Sequence, residues 1–493
     1  MLVGNLIFIV LILAGFFLLH LLSRKTQIPR NWLWLVWTAK LGYTLVYVYI
    51  FTTFYGEGDR IQGDALHFME DGKVLRELAS NDPATYLQIM AGFHGDHPDV
   101  LNGPLSSTHI WDYGDNGDWI NDNRLIIRIN SLIHFISFGN IYTHVLCFSM
   151  IAFAGLIFLY KAFEEFVMAK RLFFFAICLL PSLGFFGSGL TKETILIFSL
   201  GLLFWSAMKL LREKLKPSTF LLFCVAIALC FFNKPYAGLV IVPLLAVLFI
   251  GKSLHLKRWF LVVNSIFIVI LAITLAYLPD KVNLVEKISY KQKDVMNLAR
   301  GGVFFVTDSS FCDFDYRYFG NFDTLGNNKI KVKQETPGEY KLFGEKIFHP
   351  FTITPSDTLY EIYMIGKPSA SYIEPTPINY QGINLVKTIP ESLLNTLIRP
   401  FPTDPGSPLK YITIFQNWSI LLFAAWVFFN RKKLSDFEYY WLYVLLTATL
   451  ILLLVIGWTT PVFGAIVRYK IPVDICILIS LFMFYNPTKK LVK

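Results

Sequence analysis

The stretch GFFGSGLTKETILIF, residues 184–198, sets Lys192 beside Glu193 between two apolar runs, with glycines at 184, 187 and 189 just before them. Two opposite charges inside an otherwise greasy segment fit one of two settings: a plug in a soluble core, or the apex of a membrane hairpin. Composition decides between them. Of 493 residues, 55% are hydrophobic and only 16% are charged, against about 25% charged in soluble domains. The mean hydropathy is +0.51. Apolar runs of about 20 residues, enough to cross ~30 Å of hydrocarbon, recur along the chain. The chain therefore reads as an all-α polytopic membrane protein.

Eleven spans are expected, at 4–22, 31–54, 141–161, 172–188, 191–210, 218–233, 235–251, 259–279, 410–430, 437–458 and 463–485. Residues 4–22 have no basic stretch before them and no small-x-small cleavage site after them, so they read as a first span rather than a removable signal. One alternating set of connections, 23–30, 161–171, 209–217, 252–258, 431–438 and 486–493, holds 19 Lys and Arg against 5 acids, leaving 25 basic and 30 acidic residues elsewhere. The positive-inside rule then places that set in the cytoplasm and the N-terminus outside. The net charge of +9 is accordingly a matter of topology, and no nucleic-acid partner is implied. Five of the six cysteines lie in apolar runs and Cys312 in a loop, which gives no disulfide framework.

The chain divides into an N-terminal membrane module, 1–279, carrying a first outer loop at 55–140; an extracytoplasmic insert, 280–409; and a C-terminal membrane module, 410–493. The first loop opens on YGEGDRIQGDALHF, where Glu57, Asp59 and Asp64 leave the membrane beside any lipid headgroup. Residues 64–80 and 121–138 have the apolar spacing of amphipathic helices, with Asn121 or Asp122 as an N-cap, and such helices lie in the interface plane. Between them, His94, Asp96, His97 and Asp99 suit a polar loop or a metal, with spacing that matches no strong template. The insert carries short strand-like runs at 302–306, 329–334, 339–343 and 351–355 and a helical stretch at 284–300, so a small irregular α/β unit is expected. It ends in a short helix within 389–405 that returns to the membrane at Arg399-Pro400.

Charges inside spans face a cavity or a partner. Lys40 lies midway along the second span, and the last carries Arg468, Lys470 and Asp474 in GAIVRYKIPVDI. Lys470 and Asp474 are spaced to pair on one helix face; Lys40 and Asp474, at similar depth, are expected to bond across two helices. Charge otherwise gathers at the outer face, at Glu57, Asp59, Asp64, Lys192, Glu193, Lys234, Arg399 and Arg468. A carboxylate there can deprotonate a hydroxyl while cations stabilise a departing phosphate. The same Lys192–Glu193 pair also suits a solvated turn. Neither internal repeats nor paired helix interruptions, the marks of many transporters, stand out.

Three stretches resemble the GT-C class of membrane glycosyltransferases: the acidic GEGDRIQGDALHF, the hairpin apex PSLGFFGSGLTKE at 181–193, and RYKIP at 468–472, which is similar to an Arg-Tyr-x-x-Pro element of sugar transferases and polymerases. The resemblance implies a polyprenyl-phosphate-linked sugar as donor, a glycan or lipid acceptor, and a site at the outer face of a bacterial cytoplasmic membrane. Asp64, Asp59 or Glu57 would be the general base. Lys192, Glu193, Arg399, Arg468, Tyr469 and Lys470 would bind substrate. Trp111, Tyr113 and Trp119 suit sugar stacking or membrane-interface anchoring. With several cations near the phosphate, no metal or other cofactor is expected. A polysaccharide polymerase or ligase, or a non-enzymatic transporter or assembly subunit, remain alternatives.

Overall fold

The computed structural model describes residues 2–56, 58, 60–111, 121–254, 283–325 and 328–488. It is mostly helical. Seven of the described helices are long and apolar enough to cross a membrane: Val3–Thr26, Arg30–Phe54, Ile141–Phe163, Lys192–Arg212, Pro235–Ser253, Lys410–Phe429 and Asp436–Thr459. This is compatible with a polytopic membrane protein. Each matches one expected span to within a few residues. Of the other four, 218–233 is the shorter apolar helix Pro217–Asn233, and 259–279 lies outside the described residues. The remaining two are not continuous helices. Residues 172–188 divide into Lys170–Leu179 and Pro181–Phe186, and 463–485 into Phe463–Tyr469 and Ile471–Phe484. Proline explains both breaks. Pro181 and Pro472 sit in the first turn of their second helices, where a missing N–H costs nothing, whereas inside one long helix either would remove a bond.

In chain order the helices are α1 (Leu2–Thr26), α2 (Arg30–Tyr49), α3 (Asp64–Asn81), α4 (Pro83–Met90), α5 (Pro98–Leu101), α6 (Arg124–Ser137), α7 (Ile141–Phe163), α8 (Lys170–Leu179), α9 (Pro181–Phe186), α10 (Lys192–Arg212), α11 (Pro217–Asn233) and α12 (Pro235–Ser253). After these come α13 (Leu284–Arg300), α14 (Gly382–Lys387), α15 (Ile389–Leu393), α16 (Lys410–Phe429), α17 (Asp436–Thr459), α18 (Phe463–Tyr469) and α19 (Ile471–Phe484). α10 is central: nearly every side chain along it is buried, and it packs on α7 and α11. α1 and α16 instead expose Leu13, Phe17, Leu422 and Phe429, an apolar outer surface suited to lipid.

The first loop folds as expected around two helices. Ala65, Phe68, Leu75 and Leu78 of α3 are buried against Ile126, Ile127 and Ile133 of α6, the helical spacing that the sequence displays. Gly63 starts α3 with a φ of +75°, a conformation open to glycine and strained for other residues. That turn delivers Asp64 as the first residue of the helix.

Residues 284–366 hold α13 and a seven-stranded antiparallel sheet in the order β3-β4-β7-β1-β2-β5-β6. The strands are β1 (Gly302–Val306), β2 (Ser310–Asp315), β3 (Phe322–Leu325), β4 (Lys329–Val332), β5 (Thr336–Leu342), β6 (His349–Ile353) and β7 (Tyr360–Gly366). All seven strands join one sheet, whose β1–β7 pairing shifts register between Phe304 and Phe305. β2, β3 and β7 escape the sequence reading because Asp313, Asp323 and Glu361 interrupt their apolar runs. Alternate residues of β2 nonetheless point inward, with Cys312 and Phe314 buried in a core of Val303, Phe305, Phe322, Ile330 and Val332. The module is tied to the helices where Tyr372 bridges Val462, the residue before α18.

Candidate functional site

Chain ends of several helices meet at one place. α10 begins at Lys192 and Glu193, directly after the glycine hairpin. Gly189 there packs so closely that a Cβ would lie 2.3 Å from the ring of Tyr47, which explains the small residue. α11 ends and α12 begins around Lys234, where Pro235 enforces the break. Arg468 closes α18, and Asp64 opens α3.

These residues form a charged cluster. The Arg468 guanidinium lies between two carboxylates, with Nη2 3.4 Å from Glu193 Oε2 and Nη1 3.5 Å from Asp64 Oδ2. Lys234 Nζ is 3.7 Å from Glu193 Oε1 and 4.7 Å from the ring centroid of Tyr469. Lys192 Nζ donates to Asp122 Oδ1 at 2.5 Å. Asn233 donates to the Lys192 carbonyl at 2.8 Å, and Tyr236 to the Tyr469 carbonyl at 2.9 Å. Side-chain exposure rises from 1% at Glu193 through 27% at Arg468 to 65% at Asp64, so the cluster runs from the interior to an accessible carboxylate.

The contacts around Arg468 are long. Charge-assisted bonds of this kind usually measure about 2.7–2.9 Å. Arg468 Nε, Glu193 Oε1 and Asn233 Oδ1 are shielded from solvent and lack a hydrogen-bond partner among the described residues. Buried polar atoms are normally satisfied. A tetrahedral anion beside Arg468 would supply acceptors for its free donor.

A second polar network occupies the neighbouring helices. Lys470 Nζ donates to Asn417 Oδ1 at 2.6 Å and to the Thr396 carbonyl at 3.2 Å. Asp474 Oδ2 accepts from Ser182 Oγ at 2.8 Å and Gln416 Nε2 at 2.9 Å, and Lys470 stands 3.8 Å from Asp474 Oδ1. Arg399 grips Asp404 through Nε and Nη2 at 2.9 and 2.6 Å, and its Nη1 reaches Asn395 at 3.0 Å. Asn417 links the two parts by donating to the Arg399 carbonyl at 2.8 Å.

The expected site thus divides. Asp64, Lys192, Glu193 and Arg468 come together, and Tyr469 joins them through its ring and carbonyl. Arg399 and Lys470 do not: both are committed to the second network. The Lys40–Asp474 bond is not formed. Lys40 Nζ donates to the Gly187 carbonyl at 2.8 Å and to Ser188 Oγ at 3.0 Å. The end of α9 leaves carbonyls without helical partners, and the lysine reaches these first. Glu57, Asp59, Tyr113 and Trp119 lie outside the described residues. Trp111 is fully buried, donates to the Gly95 carbonyl at 3.0 Å, and lies under Arg124 and Arg128; it anchors the loop and offers no face to a sugar. Asp122, Asn233 and Tyr236 were not assigned to the site from sequence. A signal for Asn233 was present in FFNKPY, where Asn233 and Lys234 interrupt two apolar runs.

His94, Asp96, His97 and Asp99 do not converge on a metal geometry. Asp96 pairs with Arg124 and His97 with Asp99. Among the described residues, the one group with ligand atoms close enough for a metal is His67, Glu70 and His109. No protein-family model, curated protein or solved structure matches this chain, so its chemistry is argued from the site itself.

Proposed function

We propose that the protein transfers a sugar from a polyprenyl-phosphate-linked donor to a glycan or lipid acceptor at the outer face of a bacterial cytoplasmic membrane, in the manner of the GT-C class. The carrying observation is Arg468, held loosely between buried Glu193 and accessible Asp64 with its Nε unpartnered. The Lys and Arg asymmetry of the connections supports placing this end of the helices outside.

In this reading the donor phosphate sits against Arg468 and Lys234, with Lys192 nearby. Glu193 fixes the guanidinium and lies beside both cations. Asp64 takes the proton of the acceptor hydroxyl as that oxygen bonds to the anomeric carbon. The bond from that carbon to the phosphate oxygen breaks, its electron pair staying with the polyprenyl phosphate, whose charge the cations stabilise. The arrangement favours a transferase over a polymerase that grips phosphate with loop arginines. Arg300, Arg317 and Arg399 are paired with Glu374, Asp315 and Asp404.

The test is transfer of labelled sugar from a polyprenyl-phosphate donor in proteoliposomes. Asp64→Asn should abolish turnover while leaving lipid binding intact. Undiminished turnover would remove Asp64 as the base.

A further inference from the structure

We propose that His67, Glu70 and His109 form a zinc-type divalent-cation site that fastens α3 to the stretch at 109–110. His67 and Glu70 are three residues apart on α3, so they share a face. His109 comes from a different stretch of chain, and its position is fixed independently of its ring. Both oxygens of buried Asp71 accept backbone N–H groups from that stretch, His109 at 2.7 Å and Ile110 at 2.9 Å.

The three side chains then converge. His109 Nε2 is 3.3 Å from Glu70 Oε2, and the two imidazole centroids are 5.0 Å apart at 44°. One ligand atom from each residue lies within 4.8 Å of the other two. Tetrahedral zinc with nitrogen and oxygen ligands at about 2.0–2.1 Å needs ligands roughly 3.3 Å apart. The Glu70–His109 pair already has that spacing. Closing the rest takes only side-chain rotation at His67, whose Nδ1 is shielded and has no hydrogen-bond partner among the described residues. Two imidazoles and one carboxylate select zinc or a neighbouring late first-row ion over magnesium or calcium, which prefer all-oxygen shells. Water would complete the fourth position.

The site's role is positional. His67 follows Asp64 by one helical turn, so a cation held here steadies the turn that presents the carboxylate. The binding claim is independent of the proposed sugar transfer.

The test uses the full-length protein in detergent, stripped with chelator and titrated with Co(II) alone. We expect one Co(II) per chain with the visible ligand-field bands of a tetrahedral N/O site, displaced by Zn(II). His109→Gln, at an exposed position, should abolish those bands without lowering the melting temperature of the metal-free protein. Asp71→Asn should weaken binding about 10–100-fold, the usual effect of losing an outer partner. A joint His94→Ala/His97→Ala variant should bind as the wild type does. The proposal is overturned if no tetrahedral Co(II) spectrum appears, if His109→Gln retains it, or if the His94/His97 variant loses it.

Discussion

Arg468 and Lys470 stand two residues apart on either side of one helix break, yet their surroundings differ in kind. Lys470 belongs to a network in which Asn417, Gln416, Ser182 and Asp404 bring most of the polar contacts to between 2.6 and 2.9 Å. Arg468 has two carboxylates at 3.4 and 3.5 Å and a free Nε. Charges buried in both places carry a desolvation penalty that only close partners offset. The Lys470 network meets most of that demand internally, leaving Asp474 Oδ1 with only Lys470 at 3.8 Å, and so reads as architecture. The Arg468 cluster leaves it partly unmet and so reads as a place prepared for a ligand. Substitutions in both places press on that contrast.

The largest effect is expected at Asp64. Asp64→Asn should lower sugar transfer on the order of 100–10,000-fold, the usual worth of a positioned general base, with no change in unfolding. A matching loss of stability would make Asp64 structural and erase the difference between the networks. Asp474→Ala tests the other side. Removing one partner of a buried charged pair costs about 3–5 kcal/mol, so chemical unfolding in mild detergent should register that drop. Retained stability would mean the Lys470 network does not hold these helices together.

Arg399→Gln should act in the same direction but less. Losing hydrogen bonds to a charged group costs about 1.5–3 kcal/mol, and turnover per folded molecule should be unchanged, because the side-chain bonds of Arg399 lie in the second network. A selective loss of turnover would return Arg399 to the phosphate site.

The smallest effect lies in the strand module, where the partly buried Asp313 carboxyl stands near Glu339. Burial, then the charge of Glu339, pushes the Asp313 carboxyl up to about 7, against weaker pulls from Lys293 and Arg300. The folded state therefore holds a proton that the unfolded state releases near pH 3.8. Its contribution runs opposite to that of an ion-paired acid: stability falls as pH rises from about 4 to about 7, then levels. Melting curves across that window should flatten in Asp313→Asn; an identical pH profile in the variant would refute the assignment.

Much of this was legible in the residues. The charged apex after the glycine hairpin, the acid at the start of α3 and the arginine in RYKIP are visible because each breaks an apolar run, and all three meet. What was not legible is the sorting of neighbours. Arg468, Tyr469 and Lys470 look like one motif, but Pro472 ends the helix between them and sends their side chains into separate networks. Lys40 was assigned to the wrong partner for a related reason. A carbonyl freed at a helix end leaves no trace in a hydropathy pattern, yet it accepts a hydrogen bond from the Lys40 ammonium. Strands β2 and β7 were hidden because Asp313 and Glu361 interrupt their apolar runs.

The claim that the loose cluster is an anion site is tested most directly by titrating a polyprenyl monophosphate into purified wild type and Arg468→Ala, with melting curves confirming both are folded. A charge-assisted phosphate contact is worth about 1.5–3 kcal/mol, so the variant should bind roughly 10–100-fold more weakly. Equal affinity in the two proteins would contradict the account.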